Sequence, residues 1–360
     1  MSALPEFWGD DGSLIAALVV AALLVLLYAR AFLNFKSLPV INRSTSRTTP
    51  DCMIVIPARN EASCIERAVG SLPHDTVIVV DDGSSDKTAD LARAAGAGVI
   101  PASPLQRGAR GKANACSSGA AALKSRWILF ADADTWFEPG FLEEVVVACE
   151  GAQVSFLSIY PRPESESFFE HILTPYLHAL YFAGTNPKST PAEAFSGQVM
   201  LARRETYEFL GGHRAVLRES VDDIHMARLA ERHRVKYALA RAHDSSHVRM
   251  YHGAAGIWNG LERQAVRYHV GSASRSLVSL LTFGISLLWL PVFCWLLFEK
   301  IWIAAVFFGL LPVLLLGFWY RNALRSLLAP FAIYIALPFV AHAMLTAITG
   351  RTVQWKGRRV

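Results

Sequence analysis

Residues 14–33 form an almost unbroken apolar run in which Arg30 is the one charge. At about 1.5 Å per helical residue, roughly 20 such residues reach across the hydrocarbon core of a bilayer. Three further runs of this kind, 277–298, 301–319 and 327–349, follow towards the other end, parted by Glu299-Lys300 and by 320–326. Such segments exclude an ordinary soluble protein, and the 52% share of hydrophobic residues agrees. The chain therefore reads as an N-terminal anchor over 1–33, one soluble domain over 34–276, and a C-terminal region of about three spans with a basic tail over 277–360.

A cleaved signal peptide would carry basic residues ahead of its apolar run, whereas Glu6, Asp10 and Asp11 stand there. Arg30, Lys36, Arg43 and Arg47 lie at its far end and beyond. That bias puts the N-terminus outside and the middle domain on the cytoplasmic side of a cell's inner (plasma) membrane, in a multi-pass protein. Three later spans would leave the tail outside, yet its Arg351, Lys356, Arg358 and Arg359 prefer the inside, so the two cues conflict. The net charge of +5 is spread along the chain, with no arginine-rich run interleaved with aromatics, so nucleic acid is not an expected partner. Five widely spaced cysteines without a C-x-x-C exclude a disulfide framework and a zinc ribbon and fit a reducing compartment.

The middle domain alternates. Residues 53–56 are continuously apolar and rich in β-branched side chains, as in a strand buried on both faces. Pro57 is expected to end that strand and Asn60 to cap the helix carrying Ile65, Ala68, Val69 and Leu72. The pattern repeats at 77–80, followed by the turn Asp81-Asp82-Gly83-Ser84-Ser85 and a helix opening near Asp86. A short strand at 99–100, a Gly/Ser/Ala-rich helix ending near Leu123 and a strand at 127–131 complete the series. This spacing implies an α/β fold with a mostly parallel sheet. Ligands on such sheets bind at the carboxyl ends of strands. Here those ends carry Arg59-Asn60-Glu61, Asp81-Asp82 and Asp132-Ala133-Asp134.

Clustered carboxylates repel one another unless a cation intervenes. A hard divalent ion with oxygen ligands meets that need, and Mg2+ usually keeps phosphate oxygens and waters as well. If 132–134 is extended, Asp132 and Asp134 face the same side, suiting a metal-bound diphosphate, with Lys112 adding charge. D-x-D alone is a weak motif, since a polar turn after a strand reads the same way.

The segments "VIPARNEASCIERAVGSL", "VIVVDDGSSDKTADLA", "GARGKANACSSGAA" and "WILFADADTWFEPGFLEE" resemble the family 2 glycosyltransferases of GT-A (Rossmann-like) fold, in the family's order and over about 90 residues. The resemblance implies a nucleotide-sugar donor held by Pro57, Ala58, Arg59, Glu61 and Asp82, with Lys112 near it. It also implies Asp132 at ribose or sugar, and Asp134 on Mg2+ or Mn2+. In "FSGQVMLARRETYEFLGGHRAVLRESVDDIHMARLAE", Gly197 and Gln198 resemble the acceptor loop, and Asp222-Asp223 stand at the family's catalytic-base position, with Asp223 the expected base. The same acidic pair also suits a helix N-terminus. Gln264, Arg267 and Tyr268 resemble the Q-x-x-R-W of membrane-bound members, with Tyr in place of Trp. "HVRMYHGAAGIWNGLERQ" is similar to a stretch of carotenoid- and hopanoid-associated glycosyltransferases, which would set Arg249 and Trp258 at the membrane-facing edge of the site. An amphipathic interfacial helix accounts for both stretches equally.

The resemblance thus implies an inverting transferase moving a sugar, UDP-linked by expectation, to a hydroxyl or carboxyl of a membrane lipid: carotenoid, hopanoid or glycerolipid. A processive polysaccharide synthase and an inactive nucleotide-sugar-binding scaffold remain as alternatives. No G-x-S-x-G and no G-x-x-x-x-G-K-[ST] occurs, which argues against a serine nucleophile elbow and a P-loop. His243 and His247 have metal-like spacing but only Asp244 as a sequence-adjacent acid, and are expected to be loop histidines. The stretch with His171 and His178 has an apolar face and is expected on the membrane or along an acceptor path.

Overall fold

The computed structural model describes residues 11–42, 50–270, 273–349, 354–355 and 358–359. It opens with helix α1 (Asp11–Lys36). The alternation follows as β1 (Cys52–Ala58), α2 (Ile65–Gly70), β2 (Val77–Asp81), α3 (Thr88–Ala94), β3 (Gly98–Pro101), α4 (Gly111–Ala122) and β4 (Trp127–Ala131). Next come β5 (Thr135–Phe137), α5 (Phe141–Ala152), β6 (Phe156–Tyr160), β7 (Arg162–Pro163), α6 (Phe168–Gly184) and α7 (Pro191–Ala194). Then follow β8 (Val199–Arg203), α8 (Arg204–Phe209), α9 (Asp222–Arg232), β9 (Tyr237–Arg241) and β10 (Ser246–Val248). The remaining helices are α10 (Gly253–Val270), α11 (Ala273–Leu287), α12 (Trp289–Phe298), α13 (Trp302–Tyr320), α14 (Ala323–Ser326) and α15 (Ala329–Thr349).

The chain divides into two compact units. One comprises Leu38–Glu164, Pro187–Met250 and Thr352–Val360. The other comprises Met1–Ser37, Ser165–Asn186 and Tyr251–Arg351. The stretch 34–276 read as one domain is thus shared out, because α6 and α10 pack with the apolar helices. Asn34 donates through Nδ2 to the Phe182 carbonyl at 2.8 Å, and the Tyr320 hydroxyl donates to the Ile172 carbonyl at 2.7 Å. Arg30, the charge inside the first apolar run, donates through Nε to the Ala183 carbonyl at 3.0 Å. Among the described residues of this unit, four helical segments are long and apolar enough to cross a membrane: Gly12–Lys36, Ser276–Phe298, Trp302–Tyr320 and Ala329–Thr346.

The other unit is built on a seven-stranded sheet of order β3-β2-β1-β4-β8-β6-β9. Its pairs are parallel except where β8 runs antiparallel to β4 and β6. β1 and β4 are central, and their inner residues Ile54, Val55, Ile56, Ile128 and Leu129 are fully buried. Helices α2, α3 and α5 cover one face with Ile65, Ala68, Ala92, Phe141 and Val145. α4 lies on the opposite face, where Gly119 lets it approach Val55 and Val80. A small sheet, β5-β10-β7, adjoins the end of β4 in sequence.

Two local expectations change. Pro57 does not end β1, which runs on to Ala58 beside Asp81 of β2. Pairing with β4 stops at Val55, so the missing proline N–H leaves no gap in that ladder. Asn60 does not cap α2, whose N-cap is Cys64. Asn60 is left-handed at φ 52°, and its Oδ1 accepts from the Ser85 N–H at 2.8 Å, so it closes the β2–α3 turn instead.

Candidate active site

The sheet register decides which residues meet. β8 runs antiparallel to β4 with Val199 opposite Ala131. One step further, the Asp132 N–H donates to the Gln198 carbonyl at 2.8 Å. Gly197 and Gln198 therefore enter β8 where β4 releases Asp132. Lys112, in the first turn of α4, reaches the same point: its Nζ lies 2.5 Å from Asp132 Oδ1 and donates to the Gly197 carbonyl at 3.1 Å. From the other side Asp223, buried in the first turn of α9, accepts through Oδ2 from the Gly197 N–H at 2.9 Å. Its Oδ1 accepts from the Ile224 N–H at 2.8 Å. A Cβ on residue 197 would lie 3.1 Å from Asp223 Cβ, a tight contact that Asp223 would have to give way to by a few tenths of an ångström.

These groups wall a small crevice lined by Pro57, Lys112, Asp132, Gly197, Asp222 and Asp223 among others. Six residues singled out from sequence thus share one cavity. Burial lowers the proton affinity of Lys112, but Asp132 and Asp222 outweigh it and hold the ammonium charged well above its ordinary range. Burial raises Asp132; Lys112 opposes, while Asp222 and Glu61 add to the rise.

Ala58, Arg59, Glu61 and Asp82 sit on the adjoining strand ends and are outside the crevice lining. The Asp82 N–H donates to the Ala58 carbonyl at 2.9 Å. The Arg59 guanidinium donates to the Asp82 and Gly83 carbonyls, the latter at 3.1 Å. Glu61 is close enough for its charge to act on Asp132.

Asp134 corrects a premise. Residues 132–135 are not extended: the Thr135 N–H and hydroxyl both donate to the Asp132 carbonyl, at 3.1 and 2.6 Å, closing a turn. Of the two aspartates, Asp132 is in the crevice lining and Asp134 is not. The carbonyl of Asp134 accepts from the Arg249 N–H at 3.1 Å, which brings Arg249 beside the motif. Among the described residues no three His, Cys, Asp or Glu side chains gather as a metal cluster.

Trp258 belongs to the other unit, where it stacks on His342 with ring centroids 4.3 Å apart. Gln264, Arg267 and Tyr268 fall on the backbone of α10, and their side chains lie outside the described residues. His247 is a satisfied histidine as expected but lies in β10 rather than a loop: it is 3.0 Å from Glu164 and 3.4 Å from Glu138, acids remote in sequence, and stacks on Trp136. Sequence reasoning missed Cys116 and His213 in the crevice lining and Arg110 at the α4 N-terminus. Arg110 Nη2 donates to the Ser220 hydroxyl at 3.0 Å, tying α4 to the loop before Asp222. Burial pushes the Cys116 thiol far up, so it is no nucleophile. None of the five cysteines, all among the described residues, is in a disulfide.

Residues 53–223 match the family model described as glycosyl transferase family 2. A 4,4'-diaponeurosporenoate glycosyltransferase of Staphylococcus haemolyticus (strain JCSC1435) is 26% identical over 262 residues, 69% of this chain and 68% of that protein. The protein of the same description from Staphylococcus aureus (strain USA300) is 30% identical over 185 residues, covering 47% of this chain and 48% of its own length, so the match spans about half of that relative. Among solved structures, a mannosyltransferase from Pyrobaculum calidifontis in complex with GDP-Man and Mn2+ is 18% identical at a TM-score of 0.49, over 94% of this chain and 98% of that one. The motifs that lead into the crevice, Pro57 to Asp223, are those the family model spans. Residues 53–223 match glycosyl transferase family 2, and the chain is a glycosyltransferase, in one polypeptide with four helical segments among the described residues long and apolar enough to cross a membrane.

Proposed function

We propose that this glycosyltransferase moves a sugar, with inversion, from a UDP-sugar to a hydroxyl or carboxyl of a carotenoid-type lipid at the cytoplasmic face of the inner membrane. The observation that carries the reading is the convergence of Lys112, Asp132, Gly197 and Asp223 on one crevice, with a cation on one wall and a buried carboxylate on the other. The donor diphosphate lies on the Lys112 side, at the α4 N-terminus, whose dipole favours anions. The transferred sugar lies between that side and Asp223. A hydroxyl acceptor gives its proton to Asp223 as its oxygen attacks the anomeric carbon and UDP leaves. A carboxylate acceptor arrives already deprotonated and requires no base. Gly197 and Ile224 hold the Asp223 carboxylate in place through their N–H groups.

The acid-rich strand ends fit a divalent cation. Asp132 is raised in proton affinity despite its lysine partner, and the donors are hard oxygens. Asp134, aided by Asp132, would hold Mg2+ or Mn2+, whose charge offsets the negative charge that builds on the departing diphosphate.

The carotenoid acceptor rests on the two staphylococcal relatives, whose name specifies a carotenoid carboxylate, and on the membrane-crossing helices. The test incubates full-length protein in membranes with radiolabelled UDP-sugars and profiles the lipids. One sugar appearing on a pigment-absorbing lipid is the expected outcome. Label in a long polymer would instead indicate a processive synthase, and no transfer or donor hydrolysis would indicate a scaffold.

A further inference from the structure

His213 has no part in the reaction as described, yet it is buried and lines the crevice with Asp222, Asp223 and Lys112. Its ring is fixed from two sides. The Tyr207 hydroxyl lies 2.9 Å from Nδ1, and the His213 backbone N–H donates to that same hydroxyl at 3.0 Å. Phe130 packs edge-on against the ring, centroids 4.6 Å apart.

This arrangement selects a tautomer. A tyrosine hydroxyl has one proton to give. Among the described hydrogen bonds its one acceptor is His213 Nδ1, so the proton points there. With Nδ1 accepting, a neutral ring carries its own proton on Nε2. Neutrality follows from the surroundings: burial, opposed by Asp222 and Asp223 and helped by Lys112, brings the imidazole down to about 4. With Nδ1 turned to Tyr207, the edge left for the crevice is Nε2–H. No protein acceptor for it occurs among the described hydrogen bonds, which leaves this donor available to a ligand in the crevice that His213 lines.

The chemistry of the lining indicates what accepts that proton. Asp132, Asp222 and Asp223 are acceptors when ionised, and Lys112 already donates to Asp132 and to Gly197. A sugar hydroxyl both donates and accepts. Carboxylates satisfy its proton, and a neutral N–H is needed for its lone pair. On the glycosyl-transfer reading above, the transferred sugar is what lies between the Lys112 wall and Asp223. We propose that His213 is a specificity-determining residue whose Nε2–H, held by Tyr207, donates a hydrogen bond to one hydroxyl of the transferred sugar.

The test compares full-length wild type, His213→Phe, His213→Gln and Tyr207→Phe in detergent, titrating UDP, UDP-glucose and UDP-galactose against each. UDP alone should bind all four within about twofold. The preferred UDP-sugar should weaken by roughly 3- to 10-fold in His213→Phe, the range of one neutral hydrogen bond. It should recover in part in His213→Gln, which keeps an N–H donor, and weaken in Tyr207→Phe, which frees the tautomer. The preference between the two epimeric sugars should shrink in parallel. Equal losses for UDP and UDP-sugar, or no loss for either, would overturn the proposal by making His213 a packing residue. So would a loss confined to the acceptor's KM. If His213→Phe does not fold, the ratio of UDP-sugar to UDP affinity in the other two variants decides. Wild type that binds neither UDP nor UDP-sugar would sink the donor reading itself, an outcome distinct from unchanged ratios in the variants.

Discussion

Asp223 joins two roles in one side chain. It stands in the first turn of α9, where an acid suits the dipole, and it faces the crevice with both oxygens accepting backbone N–H groups. Asp223→Asn keeps the shape and removes the basicity. With a hydroxyl acceptor its turnover should fall by about 10²- to 10⁴-fold, while a carboxylate acceptor should keep most of its rate, since no proton is removed. Radiolabel transfer to paired alcohol and acid forms of one lipid measures this, and undiminished transfer to the alcohol rules Asp223 out as base. Asp134 makes a separate claim. Asp134→Ala should abolish the gain in UDP affinity that Mn2+ gives the wild type; a metal-dependent gain that survives in calorimetry removes Asp134 as the ligand. Asp132, Lys112, Gly197 and Asp223 were legible because short motifs fix them. His213 and Cys116 were not, because their place depends on how the 211–216 segment and α4 fold over β4, and no local spacing encodes that. The turn at 132–135 was hidden for a similar reason: whether D-A-D is extended or turned depends on Thr135 bonding back to the Asp132 carbonyl.

At the scale of elements, the first half of the sheet could be read from continuous apolar runs, and 127–131 was placed to the residue. Such runs signal a strand buried on both faces but say nothing of its direction. The antiparallel β8, which delivers Gly197 to Asp132, therefore appears only in the register. α4 depends on a different feature. A Cβ at Gly119 would lie 2.5 Å from Val55 Cγ1 and 2.9 Å from Val80 Cγ2, both on stiff β-branched side chains in the core. Gly119→Ala gains up to about 1 kcal/mol of helix propensity but overpacks a filled interface, a cost of roughly 1–3 kcal/mol. The overpacking should win, lowering the thermal midpoint. Because Lys112 rides on the same helix, the KM for the UDP-sugar should rise as well. A variant with an unchanged midpoint and KM would show that α4 does not fix Lys112 through this contact.

At the scale of the whole molecule, one span before the catalytic segment and three after it make the side of the membrane a question of charge. The expected three C-terminal runs each coincide with a membrane-crossing helical segment, because apolar length alone defines such spans. Amphipathic α10 and α6 read from sequence as membrane-facing or interfacial stretches within 34–276, and in the structure they belong to the unit of the apolar helices. Lys36 ends α1, and Arg321 and Arg325 lie between the third and fourth spans, whereas Glu299-Lys300 between the second and third carries no net charge. Counting spans from a cytoplasmic Lys36, the loop with Arg321 and Arg325 also falls inside and Glu299-Lys300 outside, as the positive-inside rule prefers. The basic tail dissents, being left outside by the same count. Three positions thus agree against one, and short loops near span ends weigh most in this rule. Protease added to inverted vesicles should therefore cut the segment Leu38–Glu164 while sparing it in right-side-out vesicles, and a tag at the C-terminus should be accessible only in the latter. Cleavage of Leu38–Glu164 from outside would reverse the orientation and place the nucleotide-sugar site away from the cytoplasm. A tag reached only from inside, with the catalytic segment still cytoplasmic, would mean that one of the three C-terminal apolar segments does not cross the bilayer.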